Sequence, residues 1–356
     1  MDVILNGQAF GDVASKLLQC NFDTRSLRPY IGKDGRSYVT INQNGKLKAV
    51  PIQNTTATLR KDDWILLDDA IVKVSKPRLK AVGDLRAAGL TYTIPNGMGR
   101  TVLQTETVSD IGLASISMDA LRANANDRPV FELGNLPLPI IHKDFQFSAR
   151  QLMASRNGGS PLDTTMAELA ARRVAEEAEK LLLGVSTVGD QFSFGGSGSV
   201  IYGYTDFPSA ITTETLTCPT GSSWVAEDFL GEILSMIVAL YANNHFGPYM
   251  LYTAPNWDRY LDDDFKANSD KTLRNRVKEV SAIIDVRTLD YLSNYDIVMV
   301  QMTSDVVREV IGMDITTVEW DTVGGLQKNF KVMAILVPQL RADQADQTGI
   351  VYASCT

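Results

Sequence analysis

Between Ser160 and Gly184 the apolar positions repeat with the period of an α-helix. Leu162, Met166, Ala170, Val174, Ala178 and Leu181 recur every three or four residues and predict one buried face. Glu168→Arg172, Arg172→Glu176, Arg173→Glu177 and Glu176→Lys180 are opposite charges four apart, the spacing at which helical side chains meet. Ser160-Pro161 is a start signal and Gly184 a stop, so the pattern predicts a helix over 161–183, a rod of about 35 Å.

The remaining patterns are shorter. Tyr38, Val39 and Ile41 before Asn44-Gly45, with Leu47, Ala49 and Val50 after it, predict a β-hairpin that needs a further surface. Trp64, Leu67, Ala70, Ile71 and Val74 line one face of a helix beginning at Lys61, which Pro77 kinks or divides. Thr101 to Ile141 alternates as strands do around a polar Ala120–Arg128 turn. It reads as a two-stranded projection leaving the body near Gly99 and returning near His142. Val225, Phe229, Ile233, Ile237 and Leu240 predict a second amphipathic helix over 224–241. Tyr249–Tyr252 and Ile297–Gln301 are apolar runs of buried strands, with short helices at 256–261 and 268–279. The chain closes in strands at 314–320, 330–337 and 349–353.

Composition adds little: 356 residues, 44% hydrophobic and 21% charged, are ordinary for a globular chain of two or three domains. No apolar run approaches the ~18 residues of a membrane span, so no membrane partner is expected, and the N-terminus lacks a signal-peptide pattern. Charge adds more. The net charge is −8, yet residues 1–60 carry eight Lys/Arg against four Asp, leaving a basic arm on an acidic body. Cys20, Cys218 and Cys355 stand far apart without a CxxC pair and read as reduced structural thiols.

Candidate chemistry is sparse. His142 and His245 have no local Ser, Cys or acid arrangement of a catalytic motif. Gly195-Gly196-Ser197-Gly198 lacks the Lys-Ser/Thr of a phosphate loop and reads as a flexible loop. Asp262-Asp263-Asp264 lacks the spacing of a calcium loop, and Lys271, Arg274, Arg276 and Lys278 are either a wet face or a site for an acidic partner. No catalytic residue, cofactor or metal is expected. An intracellular α/β enzyme, the rival from another class, has no motif to rest on.

The order of parts resembles the tailed-phage major capsid proteins of Hong Kong 97-type fold, shared with encapsulin shells. Residues 135–147 look like the strand returning from that fold's extended loop, 165–179 like its spine helix, and Phe246-Gly-Pro-Tyr-Met-Leu-Tyr252 with Asn256-Trp257 like its axial-domain strand. Arg276–Asp285, running into Ile-Ile-Asp, also fits. Residues 1–60 differ from an encapsulin N-terminus, which begins with a cargo-binding helix.

The resemblance implies an α+β fold: an N-terminal arm (1–60), a first helix (61–99), an extended β-loop (100–147) and a peripheral domain with the spine helix (148–221). An axial domain (222–312), peripheral strands (313–336) and strands returning to the axial domain (337–356) follow. It implies a structural, non-enzymatic subunit that assembles in the bacterial host cytoplasm as pentamers and hexamers of a virion's icosahedral head. An encapsulin-like compartment enclosing protein cargo is the alternative. Expected partners are further copies of the chain, a portal protein at one vertex, a separate scaffold protein, a decoration or cement protein, and packaged double-stranded DNA bound without sequence preference. The extended loop would touch neighbours through Met118, Leu121, Arg122, Arg128, Val130 and Phe131. Arg25, Arg28, Lys33, Arg36, Lys46 and Lys48 of the arm would touch DNA or a neighbour, and its hairpin would find a third strand on a neighbour. Some such shells crosslink a loop lysine to an asparagine, but residues 101–141 contain no lysine, so no crosslink is expected. Assembly without cleavage of this chain is expected too.

Overall fold

The computed structural model describes residues 29–32, 36–43, 46–51, 59, 61–108, 118, 131–148, 150–151, 164–186, 191–194, 197–212, 215–221, 224–266, 271–321, 327–343 and 346–355. They fall into two compact units. The first takes residues up to 101 with 138–180 and 309–337, and the second takes 102–137, 181–308 and 338–356.

In the first unit, β1 (Tyr30–Ile31), β2 (Ser37–Gln43) and β3 (Lys46–Pro51) form an antiparallel sheet in that order. Gln43 pairs with Lys46, so the predicted hairpin is present. Its third strand, expected from a neighbour, comes from this chain: Tyr30 and Ile31 sit opposite Tyr38 and Ser37. A two-residue strand is too short to show an alternating pattern.

Helix α1 (Lys61–Ser75) ends before a turn at 76–78, and α2 (Ala81–Ala87) follows, so Pro77 divides the helix. Trp64, Leu67, Ala70 and Ile71 are buried as the spacing requires. Strand β4 (Thr91–Thr93) runs parallel to β13 (Val307–Asp321), which neighbours β14 (Gln327–Leu340). That strand in turn is antiparallel to β7 (Ile141–Ser148). Phe145 and Phe147 alternate inward on β7 and meet Phe330 with ring centroids 5.3 and 5.5 Å away, while Trp64 of α1 lies 6.1 Å from the same ring. These four buried rings anchor α1 to the sheet. A 3₁₀ turn at Gly97–Gly99 passes so close to Gly312 of β13 that a Cβ on Gly97 would collide with the Gly312 carbonyl.

Helix α3 (Thr165–Leu183) covers the long periodic pattern; residues 160–163 lie outside the described residues. Its buried face is made of small residues: Ala167, Ala170, Ala171, Val174, Ala175 and Ala178. Met166, expected on that face, is exposed together with Leu169. Ala170, Val174, Ala178 and Leu181 are buried as expected, the inward face widens to Ala167, Ala171 and Ala175, and small side chains let a helix approach its surroundings closely.

The second unit holds two antiparallel ribbons and a mixed sheet. β5 (Val102–Val108) pairs β6 (Phe131–Pro137) from Val102↔Pro137 to Val108↔Phe131, which is the base of the predicted projection. β8 (Gln191–Phe194) pairs antiparallel with β9 (Ser197–Val200), so Ser197 and Gly198, read as part of a flexible loop, lie in a strand, while Gly195 and Gly196 lie outside the described residues.

The mixed sheet has the order β11 (Ile283–Thr288), β10 (Tyr249–Thr253), β12 (Ile297–Gln301), β15 (Ile350–Ala353). Every residue of β10 and β12 is buried, as their unbroken apolar runs predict for central strands. Helix α4 (Ala226–Ala242) turns Phe229, Ile233, Ile237 and Leu240 inward, whereas Val225, expected among them, precedes the helix and is exposed. The short helices α5 (Asp258–Leu261) and α6 (Leu273–Lys278) complete the unit around Trp257, whose Nε1 donates to the Tyr295 carbonyl at 2.8 Å.

Cys218 and Cys355, expected as reduced thiols, form a disulfide across 137 residues with Cα atoms 5.2 Å apart. A parallel bridge between Leu216 and Cys355 brings the two segments together. Linear spacing carries no trace of such a meeting.

Candidate functional site

The described residues offer no catalytic centre to build on, and they hold no group of three or more His, Cys, Asp or Glu able to bind a metal. His142 is exposed on β7, with Nδ1 3.8 Å from Asp144. His245 follows α4, with Nδ1 3.1 Å from Oε1 of Gln301, and its carbonyl accepts from the Tyr249 hydroxyl. Asp262 accepts from Arg274 Nε at 2.7 Å, and Arg274 Nη2 donates to Asp258 at the same distance. The guanidinium therefore occupies the place a cation would take. The basic cluster at 271–278 is likewise neutralised within the fold. Lys271 and Arg276 meet Glu279, and Lys278 meets Asp285 at 2.6 Å, so its charges are paired with carboxylates of the same chain.

What the surface does offer is apolar. On β6, Phe131 is 59% exposed and Leu133 61%, on a ribbon of only two strands. On the outer side of α4, Leu234, Val238 and Tyr241 stand three or four residues apart. The Tyr241 ring lies 5.5 Å from that of Phe246, which is 67% exposed. Ile65, Leu66 and Val72 face out of α1, and Met166 and Leu169 out of α3. Single exposed apolar residues are ordinary, but rows along one element mark surfaces awaiting contact. The α4 row was legible as the positions left over once Phe229, Ile233, Ile237 and Leu240 are assigned inward.

Of the residues expected to touch neighbours from the extended loop, Met118 is fully exposed and Phe131 ends the β6 side of the ribbon. Leu121, Arg122, Arg128 and Val130 lie outside the described residues, as do Arg25, Arg28 and Lys33 of the arm. Arg36 is exposed ahead of β2, and Lys46 and Lys48 lie on β3 opposite Gln43 and Ile41.

On α3 the charges meet with their own partners. Arg172 Nε donates to Glu176 Oε1 at 2.6 Å, and Arg173 Nη1 to Glu176 Oε2 at 3.0 Å. Lys180 Nζ is 3.8 Å from Glu177, and Glu168 accepts from the Thr164 hydroxyl at 2.9 Å. Two guanidinium groups on one carboxylate outweigh its burial and hold Glu176 below the usual carboxylate range. Arg86 of α2 forks onto buried Glu309 of β13, Nε to Oε2 at 2.8 Å and Nη2 to Oε1 at 3.0 Å.

Residues 54–353 match the model of a family of unknown function, DUF6260. The "Type 1 encapsulin shell protein EncA" of Myxococcus xanthus (strain DK1622) is 22% identical over 242 residues, 66% of this chain and 70% of that protein. The virus-like particle protein of Pyrococcus furiosus superposes with a TM-score of 0.57 at 14% identity, covering 83% of this chain and 99% of the other. The capsid protein of Myoviridae phage XM1 superposes with a TM-score of 0.54 at 9% identity, covering 72% and 86%. At these identities the likeness is one of fold. The chain thus belongs to the DUF6260 family of unknown function, and its fold is the α+β Hong Kong 97-type fold of phage capsid and encapsulin shells.

Proposed function

We propose that this chain is a structural shell subunit that self-assembles, as pentamers and hexamers, into the icosahedral head of a tailed double-stranded DNA phage. The observation that carries the reading is the β5–β6 ribbon, a two-stranded sheet with Phe131 and Leu133 turned to solvent. A two-stranded ribbon is marginal in water and gains stability where its apolar side lies on another surface. In a shell that surface is a neighbouring copy, and the loop from Met118 to Phe131 is the segment that reaches it. The outward row of α4 adds a second apolar face, and association spread over several such faces needs no pocket. The basic arm faces phosphate or a neighbour, with Arg25, Arg28, Lys33, Arg36, Lys46 and Lys48 as its cations.

An encapsulin-like compartment is the second reading, favoured by the likeness to the Myxococcus xanthus shell protein. Against it stands the N-terminal region, where Tyr30–Ile31, Ser37–Gln43 and Lys46–Pro51 form a β-sheet. A portal at one vertex, a separate scaffold protein and a decoration protein belong to the phage reading. The virion as destination and the bacterial cytoplasm as assembly site belong to it too. Nuclease treatment of purified particles, followed by analysis of their contents, separates the two. Genome-length protected DNA is the expected result. Particles filled with a single cargo protein and free of DNA would transfer the chain to the second reading.

A further inference from the structure

β15 is the last strand of the mixed sheet, and a second stretch of chain lies along its outer side. Ile211 and Leu216 bridge in parallel to Val351 and Cys355. The Ile211 N–H donates to the Ile350 carbonyl at 2.9 Å, and the Tyr352 N–H donates to the Ile211 carbonyl at the same distance. These are outward groups of β15, of the kind an uncovered edge strand leaves unpaired. Those two bonds hold one end of the cover. At the other end Leu216 is buried, and the Thr217 N–H donates to Oε1 of Glu232 on α4 at 2.8 Å. There the Cys218–Cys355 disulfide supplies the covalent tie to the chain just past β15. Both cysteines are only partly buried, so a small thiol in solution can reach them.

We propose that Cys218 and Cys355 form a redox clasp on the edge of the mixed sheet, closed over β15 when oxidised and open when reduced. Opening is thiol–disulfide exchange with a dithiol. One thiolate of the dithiol attacks a cysteine sulfur, breaks the Sγ–Sγ bond and forms a mixed disulfide. Its second thiolate then displaces the cysteine, and the dithiol leaves as its own disulfide. Two electrons reach the pair, and the two cysteine thiolates take up protons. A small disulfide such as oxidised glutathione runs the exchange in reverse. Once reduced, the cover keeps only its non-covalent hold through Ile211, Leu216 and Thr217, and it opens more often. Because a cytoplasm keeps thiols reduced, the clasp is open there and closes in an oxidising medium. Both cysteines lie in the second unit, so the clasp stands whether or not the chain builds a shell.

Amide hydrogen exchange on the full chain, read by mass spectrometry, tests this. A Cys20→Ser background leaves Cys218 and Cys355 as the remaining cysteines. One sample is treated with oxidised glutathione and the other with dithiothreitol, and non-reducing peptide mapping reports the Cys218–Cys355 link in each. Dithiothreitol without denaturant should remove the link. Peptides holding Ile211, Leu216 and Tyr352 should then exchange at least about tenfold faster. Peptides over β10 and β12 should keep their protection and show that the chain is folded. Oxidised glutathione should restore both the link and the protection, and Cys218→Ser should show the open profile in either medium. The same comparison on the unaltered protein covers the case in which a substitution unfolds the chain. The clasp is overturned if oxidised glutathione forms no link, or if dithiothreitol leaves it intact in the folded chain. Equal protection with the link closed and open overturns it as well.

Discussion

Glu176 and Glu179 sit three residues apart on α3, both buried, and their surroundings drive them in opposite directions. Glu176 is clasped by Arg172 and Arg173, which favours its charge. It contributes stability above the ordinary carboxylate range and loses it as the solution is acidified through its lowered value. Glu179 is raised by its burial, against the Ala81 and Val82 N–H groups that pull it down, and contributes in the opposite window. The charge pattern made Glu176 legible, because Arg172 stands four residues before it. Charge spacing alone does not single out Glu179. The signal was present, since Ala175, Leu182 and Leu183 stand four before, three after and four after it, all buried, and so place it in an inward row. Arg86 and Glu309 repeat the lesson across the first unit, 223 residues apart and invisible to local spacing. Arg86→Ala leaves the Glu309 carboxylate buried without its fork and should cost about 3–5 kcal/mol in urea unfolding. A loss under about 1 kcal/mol would show that water replaces the guanidinium. Gly97→Ala drives a methyl group into the Gly312 carbonyl, and a lower Tm is expected, by roughly 1–3 kcal/mol of strain.

At the scale of elements, periodicity located the helices and strands well where one face is buried and the run is long. β10 and β12 were apolar throughout, and α4 declared its inward face within one residue of its end. Prediction failed where the deciding contact is distant: the two-residue β1, and the disulfide joining Cys218 to Cys355. That disulfide closes a loop of 137 residues. Its loss through Cys218→Ser should lower stability by about 2–5 kcal/mol, read as a fall in Tm that added reductant reproduces in the unaltered protein. An unchanged Tm under reductant would deny it a structural role. The aromatic cluster gives a parallel case in the first unit. Phe330 is fully buried against Phe145, Phe147 and Trp64, and Phe330→Ala should cost about 3–5 kcal/mol in denaturant unfolding. The alternation of Phe145 and Phe147 foretold an inward face on β7, but its partners on β14 and α1 are set by tertiary folding.

At the scale of the whole molecule, the described residues carry apolar rows on the outside and a basic cluster neutralised by its own carboxylates. A subunit built for association should tolerate a charge on such a row without unfolding. Val238→Asp on the outer side of α4 should change monomer stability by no more than about 0.5 kcal/mol, yet shift sedimentation from large assemblies to small species. Unchanged assembly would remove α4 from the contact surface. The central claim is that this chain closes on copies of itself, and electron microscopy of the purified full chain tests it most directly. Closed, icosahedral particles of uniform size are predicted. A stable monomer or small oligomer, under conditions that favour assembly, would contradict the account.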